Sequence, residues 1–119
     1  MANDRFWHGL DTLIASHRVV IDRPRGSAHP RYPDVIYPLD YGYLEGTRAA
    51  DGSGTDAWLG SLSDMRVTGV VLTVDLTAGD SEIKILLGCT RQEATHVLRF
   101  HNQGNQHAML VRRSQVGEL

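Results

Sequence analysis

All four prolines of this chain, Pro24, Pro30, Pro33 and Pro38, fall within residues 23–40. Proline fixes φ and lacks the N–H that a helix or a central strand needs. Residues 23–40 must therefore be an ordered loop or short edge strands. They part a short N-terminal region from a longer one in which regular patterns return.

The N-terminal region holds one helix and one strand. Phe6, Leu10, Leu13 and Ile14 recur at i, i+4, i+7, i+8, which predicts a helix over residues 4–16 capped by Asn3 or Asp4. Trp7 and His8 flank that stripe as packing residues. Val19-Val20-Ile21 predicts a short strand ending at Asp22-Arg23-Pro24-Arg25-Gly26. After the prolines, Tyr41 to Glu45 resumes an extended segment, residues 50–56 form a tight loop, and Ala57-Trp58-Leu59 is a brief strand. The β-branched run 67–75 and the alternating run 81–88, joined by a turn at 76–79, form a hairpin. Thr90-x-x-Glu93 is a capping box opening a helix of about 12 residues on Ala94, Val97, Leu98 and His101, which Gly104 ends. Residues 107–112 make a last strand, and the tail from Ser114 is expected to fray.

Five or six short strands with one or two helices, and no βαβ alternation, predict a mainly β (α+β) fold: a small five-stranded OB-like antiparallel barrel with packed helices. An open α+β sheet is the alternative. The 119 residues suggest one domain over 1–119.

Charge and composition exclude several classes. Twelve basic against fourteen acidic residues give a net charge of -2, which argues against a nucleic-acid or anionic-membrane binder. The only cysteine, Cys89, can form no intrachain disulfide and reads as a buried structural thiol. No apolar run approaches the ~20 residues that span a bilayer, and the N-terminus does not resemble a signal peptide. A cytoplasmic location is the expectation.

Chemistry concentrates in three places. Asp51-Gly-Ser-Gly-Thr-Asp56 and Asp75-Leu-Thr-Ala-Gly-Asp80 put paired carboxylates in glycine-containing turns. Such turns could supply hard oxygen donors to magnesium, although Asp and Gly are also the ordinary material of turns. The proline loop adds Arg23, Arg25 and Arg31, forked cations suited to phosphate oxygens, and Tyr37, Tyr41 and Tyr43 supply hydroxyls. None of the six histidines is assigned to a metal.

These segments resemble the soluble (family I) inorganic pyrophosphatases. Val20-Ile21-Asp22-Arg23-Pro24 looks like that family's opening segment. Tyr37-Pro38-Leu39-Asp40-Tyr41-Gly42-Tyr43 matches its YPxxYGY segment. Asp51 to Asp56 lies where the family has D-G-D-P-x-D, and Asp75 and Asp80 keep the spacing of a further aspartate pair. The resemblance covers roughly residues 19–88. It implies Mg2+ as cofactor, Asp51, Asp56, Asp75, Asp80 and Asp22 as its ligands or outer acids, and a small phosphate-containing substrate. It further implies Asp56, Tyr41 and Asp51 in catalysis, Arg31, Arg23, Tyr41 and Lys84 at the phosphates, and homo-oligomers. The departures are Ser53 for the signature's central aspartate, Glu82 where a lysine is expected with Lys84 two residues on, a shortened segment between Arg31 and Tyr37, and His101-Asn102 near the place of a late Tyr-Lys pair. Each lost transition-state contact is worth about 10²–10³ in rate, so reduced activity is expected.

Overall fold

The computed structural model describes residues 4–49 and 51–113. Asn3 as a helix cap, residue 50 and the tail from Ser114 lie outside the described residues. Two helices and six strands follow in the order α1 (Asp4–Ser16), β1 (Val19–Arg23), β2 (Asp40–Leu44), β3 (Thr55–Leu59), β4 (Val67–Asp75), β5 (Asp80–Leu87), α2 (Arg91–His101) and β6 (Gln106–Arg112).

The strands form one sheet in the order β1-β2-β3-β5-β4-β6. Every pairing is antiparallel except β3 with β5, which run parallel with Asp56 opposite Lys84. The expected closed five-stranded barrel is therefore corrected to an open six-stranded sheet. Closure would require the edge strands to pair, but β1 pairs only with β2 and β6 only with β4 among the strands described. A helix also covers each face, which gives the sheet two outer layers instead of an enclosed interior.

The hairpin β4–β5 is the spine, and it buries residues on both faces, Val70 and Ile85 on one and Val71 and Leu86 on the other. On one face Leu44, Ala57, Val70, Ile85 and Leu87 pack with Trp7 and Leu10 of α1. The expected stripe of α1 holds at Leu10, Leu13 and Ile14 but not at Phe6, whose inward place Trp7 takes. Trp7 is 4% exposed while Phe6 is 45% exposed, because the larger indole takes the inward position and Phe6 packs edge-on against it with ring centroids 5.2 Å apart. On the other face Tyr37, Leu39, Trp58, Val71 and Leu86 pack with Cys89, Ala94 and Val97. Burial, reinforced by Glu93, pushes the Cys89 thiol up to about 12, so it behaves as a small apolar side chain.

The capping box forms as the spacing predicts: Thr90 Oγ1 accepts from the Glu93 N–H at 3.1 Å and Glu93 accepts from the Thr90 N–H at 2.8 Å. The proline loop is ordered by backbone bonds across its two arms. Gly26 N–H donates to Tyr37 C=O, Tyr37 N–H to Ser27 C=O and His29 N–H to Val35 C=O, at 2.8–2.9 Å. Gly42, between the two tyrosines of β2, is where β1 comes closest: a Cβ there would sit 1.8 Å from the Val20 carbonyl oxygen. Among the described residues no helix is long and apolar enough to cross a membrane.

Candidate functional site

Strand alternation sends Tyr41 and Tyr43, Asp56 and Trp58, and Glu82 and Lys84 to the face covered by α2. The register places Tyr43 beside Asp56 and Tyr41 beside Trp58 on β2–β3, and Asp56 beside Lys84 on β3–β5. The result is a short polar row above an aromatic floor. In the floor, Tyr41 lies 4.5 Å from Trp58 and Tyr37 lies 4.9 Å from Phe100, centroid to centroid.

Lys84 is the centre of the row. Its Nζ donates to Asp56 Oδ2 at 2.5 Å and to Glu82 Oε1 at 2.8 Å, and the residue is 5% exposed. Burial pulls the ammonium's pKa down, and the two carboxylates more than offset this, holding it above the usual lysine range. Asp56 also lies beside the Tyr41 hydroxyl. Burial, with the Asp56 charge beside it, drives the Tyr41 phenol far above its ordinary value, so it acts as a proton-bearing donor and not as a base. Arg23 reaches the row from β1. Its Nη1 donates to the Tyr37 hydroxyl at 3.0 Å and its guanidinium lies 5.8 Å from the Tyr37 ring centroid. Burial raises the Tyr37 phenol, and Arg23 opposes that rise.

Tyr41, Asp56 and Lys84 thus come together, with Arg23 adjacent through Tyr37. The other candidates are dispersed. Asp51 Oδ1 accepts from the Ser53 N–H at 2.9 Å, and Asp75 Oδ1 accepts from the Thr77 and Ala78 N–H groups at 2.9 Å each. Both fasten their own turns. Asp80 faces Asp75 across the β4–β5 register. Asp22 is exposed at the irregularity between Ile21 and Arg23 on β1. Arg31 sits in the loop and, with His29, Tyr32, Asp75, Asn105 and Gln106, lines a separate cleft of about 620 Å³. Burial first, then Arg23 and Arg31, lowers the His29 pKa.

The donor chemistry, hard carboxylate oxygens, suits magnesium. The arrangement does not. Among the described residues no three of His, Cys, Asp and Glu converge to hold an ion, and one carboxylate pair, Asp56 with Glu82, already holds Lys84 between its members. The residues present therefore do not fit a protein-built magnesium centre.

Two participants escaped the sequence reading. Glu82 was visible only as a departure from a motif, although its i, i+2 spacing from Lys84 on a strand already placed both on one face. His101, on the core stripe of α2, proves to be a buried polar partner. Its Nε2 accepts from Trp58 Nε1–H at 3.0 Å, and its Nδ1 lies 2.8 Å from Gln106 Oε1.

No protein-family model matches this sequence, and no curated protein matches it. Solved structures do. An inorganic pyrophosphatase from Neisseria gonorrhoeae is similar with a TM-score of 0.59 and 22% identity over 75% of this chain and 77% of that one. One from Coxiella burnetii gives 0.55 and 14% over 79% and 82%. One from Helicobacter pylori gives 0.55 and 16% over 79% and 81%. At these identities the likeness is one of architecture: this chain has the fold of the inorganic pyrophosphatases.

Proposed function

We propose that the protein hydrolyses inorganic pyrophosphate or a related small phosphoanhydride, with turnover well below that of a site retaining the full signature. The observation that supports this reading is the row of Tyr41, Asp56 and Arg23 on one sheet face, within a fold shared with inorganic pyrophosphatases. Arg23 presents a forked guanidinium for phosphate oxygens. Tyr41 keeps its proton and offers an O–H to an oxygen that gains charge as the anhydride breaks. That single hydrogen turns from Asp56, which lies beside it in the free site, to the substrate oxygen. Ser53, whose hydroxyl has a pKa far above neutral, cannot replace a carboxylate base. Magnesium is the cofactor carried over from the family, and no protein centre is assigned to it here.

A second reading is a non-catalytic phosphate-binding or regulatory domain. A specific observation favours it: Lys84 is committed to Asp56 and Glu82, which removes a cation from the phosphate set and a carboxylate from the metal set. Phosphate release from pyrophosphate, with and without magnesium, separates the readings. Release that needs magnesium and is lost in Asp56→Asn is the expected outcome. Pyrophosphate binding by calorimetry without release would establish the second reading, and neither binding nor release by the folded protein would sink both.

A further inference from the structure

The misfit between this site and a magnesium centre has a local cause. Parallel pairing of β3 with β5 sets Asp56 beside Lys84, and Glu82, two residues earlier on β5, projects to the same face. Two carboxylates thus converge on one ammonium, at 2.5 and 2.8 Å. The charge count is two negative against one positive. Glu82, its side chain 9% exposed, keeps one buried oxygen, Oε2, without a hydrogen-bond partner. A buried carboxylate oxygen left unpaired is costly, and proteins ordinarily provide it a donor or a cation. None of the neighbours named above supplies a second charge: Tyr41 gives Asp56 a neutral hydroxyl, and Arg23 is turned to Tyr37. A divalent ion in the position of the ammonium would balance both carboxylates, where the ammonium balances one.

We propose that Lys84 is the resident cation of a latent divalent-metal site: its ammonium occupies the ion's place between Asp56 and Glu82, and removing it opens that pair to a hard divalent ion. The lysine is then neither a phosphate ligand nor an incidental ion pair. It makes this face independent of a protein-bound metal, whether or not the protein turns over pyrophosphate.

Mn2+ as the probe, read by electron paramagnetic resonance, tests this on the wild type, Glu82→Gln, Lys84→Met and Lys84→Met/Glu82→Gln. Methionine keeps the length of the stem and removes the charge. The wild type should bind no Mn2+ that depends on Glu82. Lys84→Met should bind one equivalent, tighter by at least about tenfold, since a like charge a few ångströms away is gone. Adding Glu82→Gln should abolish the gain. The thermal midpoint of Lys84→Met should rise with added Mg2+, while that of the wild type stays fixed. If Lys84→Met folds only when Mn2+ or Mg2+ is supplied, recovery of its near-UV circular dichroism carries the same positive result. Wild-type Mn2+ binding that disappears in Glu82→Gln would overturn the proposal. So would a Lys84→Met protein, folded or unfolded, that is indifferent to both ions.

Discussion

Trp58 and His101 fix each other's protons. Indole nitrogen can only donate, so His101 Nε2 must be the bare acceptor at 3.0 Å, and Nδ1 carries the hydrogen toward Gln106 Oε1 at 2.8 Å. The imidazole is therefore neutral. Burial is the main reason that its pKa falls to about 4, with Lys84 adding to the fall while Gln106 and Asp56 oppose it. Above about pH 6.5 the histidine is neutral folded or unfolded and no penalty arises. As pH falls from there toward 4, the unfolded chain takes up a proton that the folded chain refuses, so stability declines, and the decline levels off below 4. A shift of this size corresponds to about 3 kcal/mol. His29 is also lowered, in an exposed loop, and pulls the same way, so the comparison must be with a variant. His101→Phe should cost about 1–3 kcal/mol at pH 7.5, because it orphans the Trp58 N–H. It should then lose less further stability at pH 4.5 than the wild type does, as judged by urea midpoints. Equal losses in the two proteins would show that His101 does not carry the acid sensitivity.

Elements were legible where local chemistry alone decides them. The β-branched run 67–75 is β4 from end to end, and Thr90-x-x-Glu93 opens α2 with both reciprocal bonds in place. Thr90→Ala should cost about 1 kcal/mol. Glu93→Ala should cost more, since its carboxylate also accepts from the Ser61 N–H at 3.1 Å and so ties α2 to the end of β3. Thermal midpoints check the order, and Glu93→Ala no worse than Thr90→Ala would mean that the Ser61 contact adds nothing. Strand partners were not legible. Alternation tells which face a residue takes, not which strand it lies beside. The parallel pairing of β3 with β5 was therefore missed, and with it the meeting of Asp56 with Lys84. The aspartate spacings were equally silent. Asp51 and Asp75 cap their turns, and that spacing is the same whether or not the carboxylates also serve an ion. Of the α1 stripe only Phe6 was misplaced, because Trp7, flanking it, competes for the same inward position and wins on area.

At the scale of the molecule, the two ends of the described chain close on each other. Arg113, just past β6, donates from Nη1 and Nη2 to the two carboxylate oxygens of Asp11 on α1, at 2.7 and 2.9 Å. Its guanidinium also lies 5.7 Å from the Trp7 ring centroid, and its backbone N–H donates to Thr68 C=O at 3.0 Å. The hydrogen bonds from Arg113 hold the Asp11 carboxyl below the usual carboxylate range. This clasp pins α1 over the apolar face of Leu44, Ala57, Val70 and Ile85, which only this helix covers among the described elements. A two-pronged guanidinium–carboxylate contact that also covers an indole should outweigh an ordinary surface pair. The comparison lies within the same protein: Arg18 and Glu45 pair at 3.1 Å through one nitrogen, with the arginine side chain 73% exposed. Exposed pairs of that kind contribute about 0–1 kcal/mol. Arg113→Ala should therefore lower the unfolding free energy by about 1–2 kcal/mol and Arg18→Ala by clearly less, measured by denaturant titration at physiological salt. Because α1 joins the sheet mainly through Trp7, Leu10 and this clasp, the loss should appear first as faster hydrogen exchange in residues 4–16, ahead of the β4–β5 hairpin. Equal stability of the two variants, or exchange that accelerates uniformly across the sheet, would mean that α1 is held by apolar burial alone and that Arg113 and Asp11 meet without consequence.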